Sequence, residues 1–172
     1  MERRGILVAF EGIDGAGKTT QLGLLADALR RAELDVVTSR EPTDGPHGRR
    51  IRESATKGRM PLDEELQAFV LDRTQHVREL ITPSLDDGRI VILDRYFYSS
   101  VAYQGARGGD TEAIDTTMRG FAPIPDVVFY IDIDPAHSIS RISDVRHDTP
   151  NEFEKHDALA ASRAIFQKLC FR

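Results

Sequence analysis

Residues Gly12-Ile13-Asp14-Gly15-Ala16-Gly17-Lys18-Thr19 put three glycines, a lysine and a threonine into one short string. Glycine is costly in regular structure, so such a cluster marks a backbone that must turn sharply or approach another group closely. The string fits G-x-x-x-x-G-K-[ST], a phosphate-binding loop that requires a strand before it and a helix after it. Both are written in the sequence. The apolar run Ile6–Phe10 (ILVAF) enters the loop, and Thr19–Arg31 places Leu22, Leu25, Ala26 and Leu29 on one helical stripe. The loop amides from Gly12 to Thr20 then point at phosphate oxygens, reinforced by the start of the helix. Lys18 is placed to reach the β- and γ-phosphates, and the Thr19 hydroxyl to ligate Mg²⁺.

Three further apolar runs, around Val36–Val37, at Ile90–Leu93 and at Val127–Ile133, are rich in β-branched residues. They lack strict alternation and so read as strands buried on both faces. Helical periodicity covers Leu62–Leu85, Ser99–Gln104, Asp110–Gly120, Ala136–Ser143 after Pro135, and Lys155–Leu169. Strands alternating with helices predict an α/β fold in which helices flank both faces of a parallel sheet. The 172 residues suit a single domain. Glu41–Gly48 (EPTDGPHG) reads as a loop, and Ser143–Asn151 as a second polar, aperiodic segment. A net charge of -5 argues against a nucleic-acid partner. The apolar runs are far too short for a membrane span. A single cysteine, Cys170, fits a reducing, cytoplasmic setting.

The third run ends in Asp94, the position from which a strand-end carboxylate holds Mg²⁺ beside a phosphate loop. Asp14, Glu41, Asp94 and Arg95 all fall at carboxyl ends of strands, where open parallel sheets bind ligands. A switch GTPase needs N-K-x-D and D-x-x-G segments, and neither occurs. Instead the loops carry Arg40, Arg49, Arg50, Arg52, Arg73, Arg95 and Arg107. Arginine forks suit a second phosphate. ATP on the glycine loop facing a second phosphorylated ligand describes a nucleotide kinase. Phe69 and Arg73 share a helix face. From periodicity alone, Phe69 reads more readily as core packing.

The strings FEGIDGAGKTTQ, AFVLDRTQHV and DRYFYSSVAYQG together resemble the thymidylate kinase family, from Ile6 to about Leu169. The resemblance implies a three-layer P-loop kinase fold and Mg²⁺-dependent transfer of the ATP γ-phosphoryl group to dTMP. It implies that Asp14 contacts the deoxyribose 3′-hydroxyl near the metal and phosphates. Phe69 stacks on thymine and Arg73 bonds a thymine carbonyl. Arg95 clamps the dTMP phosphate, while Tyr103 and Gln104 line the sugar and base. Ser99 and Ser100 take the small polar positions, and either also suits a helix start. Glu41 and Pro42 form the loop bordering the monophosphate, and Arg52 is the basic residue reaching toward it. His76 suits packing or helix capping better than catalysis.

Some members carry a catalytic arginine in the phosphate loop where this chain has Gly15; others supply it from a mobile lid. The resemblance therefore puts a lid at about residues 141–152, with Arg141 and Arg146 as its cations. Arg146 is the chosen catalytic one, and Glu154 a further ligand for Mg²⁺ or its water. Glu152 stands where relatives usually have arginine. The resemblance also implies a homodimer. It implies another strand, flanking the phosphate-loop strand, and a final helix after Leu169, where this chain reads KLCFR; Cys170 and Phe171 then read as core residues short of neighbours. The competing readings are a kinase for another pyrimidine monophosphate and a nucleotide-binding regulatory module without turnover.

Overall fold

The computed structural model describes residues 5–146 and 155–170; the side chains of 144–146 lie outside that description. The parallel strands are β1 Ile6–Glu11, β2 Val36–Arg40, β3 Ile90–Asp94 and β4 Val127–Tyr130, in the spatial order β2-β3-β1-β4. Alternation of side chains along a strand divides the core in two. Leu7, Ala9, Val91 and Leu93 face a cluster with Ile81, Leu85, Phe97, Val101, Ile114 and Met118. Val8, Phe10 and Ile92 face the other way, onto Leu22 and Ala26. The result is the expected three-layer arrangement with the carboxyl ends of β1 and β3 side by side.

Helix α1 (Lys18–Arg31) follows the glycine loop. Helix α2 (Pro46–Lys57) occupies part of the predicted Glu41–Gly48 loop and continues through a stretch without evident periodicity. Pro46 sits in its first turn, where a missing N–H is harmless. Ile51 and Ala55, four apart, are buried among arginines that mask the pattern. Gly48 is required inside this helix because an added Cβ would strike the Thr43 backbone.

The long helix predicted for Leu62–Leu85 runs as α3 (Leu62–His76), a π-turn at Val77–Ile81, and α4 (Thr82–Asp86). Pro83 explains the wide turn. Its ring would strike a carbonyl one turn back, and a five-residue hydrogen bond from Thr82 N–H to Val77 O relieves that crowding. Helices α5 (Phe97–Gly105), α6 (Thr111–Arg119, capped by Asp110), α7 (Pro135–Arg146) and α8 (His156–Cys170) complete the chain order. Among the described residues, no helix is long and apolar enough to cross a membrane.

The expectations for the strands need two corrections. β4 is not buried on both faces: Val127, Val128 and Phe129 are 41%, 39% and 44% exposed. No further strand can flank the phosphate-loop strand, since β1 already pairs with β3 on one side and β4 on the other. Cys170 is exposed, and Phe171 lies outside the described residues.

Candidate active site

The glycine loop wraps over the end of β1 through left-handed backbone at Gly15 (φ 72°) and Gly17 (φ 96°). These conformations exclude most side chains. At Gly15 an added Cβ would also stand 2.7 Å from Ser138 O in α7. Gly17 begins α1 with no side chain capping its amides among the described residues. Those N–H groups and the helix dipole are available to an anion. Lys18 is buried, and its Nζ donates to Ile13 O at 2.8 Å. Burial, aided by repulsion from Arg95, pushes its ammonium down to about 8 against the pull of Asp14, Asp94 and Glu11. The Thr19 hydroxyl donates to Asp94 Oδ2.

Arg95 is one of two non-glycine residues with positive φ among the described residues, at 70°. Such backbone persists only where the surroundings hold it. Its guanidinium donates to Gly12 O (3.0 Å), Ser99 Oγ (3.1 Å) and Asp14 Oδ1 (2.8 Å). It also lies 5.1 Å from the centre of the Tyr103 ring. The Tyr103 hydroxyl donates to Asp14 Oδ2 at 2.9 Å. Burial would raise the Asp14 carboxyl, but Arg95, Lys18 and the Tyr103 hydroxyl hold it below its ordinary value. Both Asp14 oxygens thus serve Arg95 and Tyr103, leaving the Thr19–Asp94 pair as the nearer set of hard oxygens for a cation.

Two adjoining cavities share Asp14, Glu41, Pro42, Arg52 and Arg95. The larger, about 1130 Å³, is lined by residues 14–20 of the loop, Asp94 and Arg141. The smaller, about 170 Å³, is lined by Phe69, Arg73, Ser99, Tyr103 and Gln104. Phe69 is half-buried and lines this cavity, so it is not sealed in the core. Gly12 and Ile13 lie off the cavity walls; Ile13 packs with Ala102 and Leu159. Ser100 stands behind Arg73 and accepts from its Nη2 at 3.2 Å, while Ser99 lines the cavity. Arg52 donates to Pro42 O at 2.7 Å, bracing the loop after β2. Arg141 Nη1 lies 3.4 Å from Gly15 O. The side chain of Arg146 and the whole of Glu152 and Glu154 lie outside the described residues.

Glu11 and Glu65 carried no assigned role in the sequence, and the partners of Glu41 and His76 were not foreseen there. Glu11 accepts from the backbone of Tyr96 (2.9 Å) and Ser99 (3.1 Å) and from the Ser99 hydroxyl (2.6 Å), pinning the start of α5 to β1. Burial pushes its carboxyl up to about 7. Glu41 holds Arg73 Nε at 2.7 Å and His76 Nδ1 at 2.9 Å; the other His76 nitrogen is 2.8 Å from Ser39 Oγ. His76 is therefore a buried strut under Arg73. Glu65, fully buried, reaches Gln104. The available signal was an acid directly after a buried strand, or in the helix turn facing the core.

One cavity at a glycine loop, joined through an arginine to a second, is the layout of a P-loop kinase that acts on a small phosphorylated acceptor, and fold and site place the chain in that class. Within it the sequence is specific. The profile of the family described as thymidylate kinase matches residues 10–172. The chain is 47% identical over 165 residues to the thymidylate kinase of Akkermansia muciniphila, covering 96% of this chain and 79% of that one. It is 48% identical to that of Xanthomonas campestris pv. campestris (96% and 72% covered) and 49% identical to that of Xylella fastidiosa (96% and 75%). The chain belongs to the thymidylate kinase family.

Proposed function

We propose that the protein transfers the γ-phosphoryl group of ATP to dTMP, giving dTDP and ADP. The observation that carries this reading is the pair of cavities joined at Arg95 and Asp14. ATP takes the larger, its phosphates against the loop amides and Lys18. dTMP takes the smaller, its base beside Phe69, Arg73 and Gln104 and its phosphate turned to Arg95. Phosphoryl transfer asks little covalent chemistry of a protein; positioning and charge neutralisation account for most of it. Arg95, fixed by Asp14 and Gly12, holds the acceptor phosphate in line. Lys18 bears on the transferred group. Tyr103, locked to Asp14, packs beside the sugar and sterically disfavours a 2′-hydroxyl.

Thr19 and Asp94 are hard oxygen donors on adjoining elements and fit Mg²⁺, which characteristically takes one or two protein oxygens plus substrate phosphates. Among the described residues no cluster of three acidic, histidine or cysteine side chains provides a protein-only cage. When bound there, Mg²⁺ neutralises charge on the donor phosphates. Arg141 and Arg146 are the candidate lid cations, with Arg141 already beside the loop. A cytoplasmic homodimer is part of the same reading: the dimer rests on the family resemblance and the compartment on the single cysteine, Cys170.

The test is product analysis after mixing the protein with ATP, Mg²⁺ and a panel of acceptors. Formation of dTDP with preference over dUMP and over the ribose analogue is expected. Preference for another monophosphate, or binding of both nucleotides without product, overturns the proposal in favour of the two competing readings. Elution mass in gel filtration tests the dimer.

A further inference from the structure

Gln104 is fully buried and lines the smaller cavity. Its Nε2 donates to Glu65 Oε1 at 2.8 Å, whereas its Oε1 is buried without a partner among the described residues. Buried carbonyl oxygens are rarely left so, and each that is calls for an explanation.

Glu65 determines which end of the amide is spare. It is itself fully buried and held by two arginines. Arg59 donates from Nε at 2.8 Å and from Nη2 at 2.9 Å, and Arg107 from Nη1 at 2.8 Å. Arg107 also donates to Met60 O at 3.0 Å, tying the end of α5 to the segment before α3. A carboxylate clamped in this way only accepts hydrogen bonds, so Gln104 must meet it through its NH₂. Turning the amide over would set oxygen against oxygen and remove a charge-assisted bond.

We propose that Glu65 is a specificity-determining positioning residue: by fixing the amide of Gln104, it presents a hydrogen-bond acceptor to the base cavity and selects pyrimidines that carry an imide N–H. This rests on the dTMP kinase reading. Thymine and uracil bear a hydrogen on N3 and a carbonyl at C4. Cytosine bears a bare N3 acceptor and an amino group at C4. Against cytosine, the Gln104 oxygen meets a lone pair and the donor-only guanidinium of Arg73 meets an amino group. A site built around specific hydrogen bonds rejects a ligand that leaves them unmade. Uracil shares the imide edge, so Glu65 separates amino from imide pyrimidines and leaves the choice between dTMP and dUMP untouched.

The test compares kcat/KM for dTMP, dUMP and dCMP in the wild type, Glu65→Gln and Arg107→Ala. In Glu65→Gln the new amide can pair with Gln104 in either orientation. The dTMP/dCMP ratio is expected to fall about tenfold or more, the equivalent of one lost base hydrogen bond. The loss should fall mainly on KM for dTMP, with kcat and the dTMP/dUMP ratio nearly unchanged. Arg107→Ala keeps the acceptor-only carboxylate and is expected to keep the dTMP/dCMP ratio even if it unfolds at lower temperature; a purely structural Glu65 predicts that the two variants behave alike. An unchanged dTMP/dCMP ratio in folded Glu65→Gln overturns the inference. Should that variant not fold, N3-methyl-dTMP tests the wild type. It is expected to bind at least tenfold more weakly than dTMP, and equal binding overturns the inference. Absence of any dTDP from the wild type is a different failure, that of the underlying reading.

Discussion

Lys18 illustrates how one side chain answers to its neighbours before any ligand arrives. Its ammonium is buried under the loop and pushed down to about 8, from an ordinary value near 10.5. Donor phosphates would add negative charge beside it and restore the protonated form. At pH 9 the free site holds roughly a tenth of a proton on Lys18, so nucleotide binding should draw in close to one proton. Calorimetry of ATP binding in two buffers of different ionisation heat measures that number. We expect uptake near one at pH 9 and near zero from this group at pH 6.5, with the pH 9 uptake lost in Lys18→Met. The neighbouring carboxylates differ in kind. Glu41 is held below its usual range because Arg73 and His76 outweigh the effect of burial, while Glu11, with weaker charge support, is pushed up to about 7.

Helix α7 and the glycine loop show how two elements set one another's geometry. Gly15 lies under α7, with Ser138 Oγ donating to Asp14 O and Arg141 reaching Gly15 O. Gly15→Ala forces a Cβ into left-handed backbone and against Ser138 O. The backbone strain alone is about 1–2 kcal/mol, and relief of the contact requires α7 to move. Chemical denaturation should show a loss of about 2 kcal/mol, and the KM for ATP should rise several-fold. Unchanged stability would mean that α7 is not seated on the loop. The same contact bears on the family alternative of an arginine at this position. With α7 so close, a longer side chain at position 15 demands a different seat for that helix. On the opposite flank, α5 depends on Glu11, whose Oε1 accepts from the backbone of Tyr96 and Ser99 and whose Oε2 accepts from the Ser99 hydroxyl, and so sets where Arg95 and Tyr103 begin.

For the molecule as a whole, the buried acids predict an asymmetric response to pH. Glu11 has a folded pKa raised from 4.5 to about 7, so the folded state binds more protons than the unfolded state between those values. Stability from this group therefore falls as pH rises through that window. The shift corresponds to about 3 kcal/mol at pH 8. Asp14 and Glu41, both depressed, act in the opposite sense and lose their contribution as pH falls through their folded values. Melting followed from pH 4 to 8 should give a maximum on the acid side of neutrality, and Glu11→Gln should flatten the decline toward pH 8. A wild type steadily more stable up to pH 8 would contradict the Glu11 assignment. The sequence alone determined the phosphate loop, its flanking strand and helix, the strand-end aspartate and the layered α/β class. Each is written in contiguous residues, where periodicity and local backbone geometry act directly. It missed α2, whose Pro46, Gly48 and arginines mask a two-residue apolar stripe. It also gave no role to Glu11 or Glu65, whose partners Ser99 and Gln104 lie 88 and 39 positions away. A buried carboxylate's task is set by which donors surround it, and only the packed chain brings those donors within hydrogen-bonding distance.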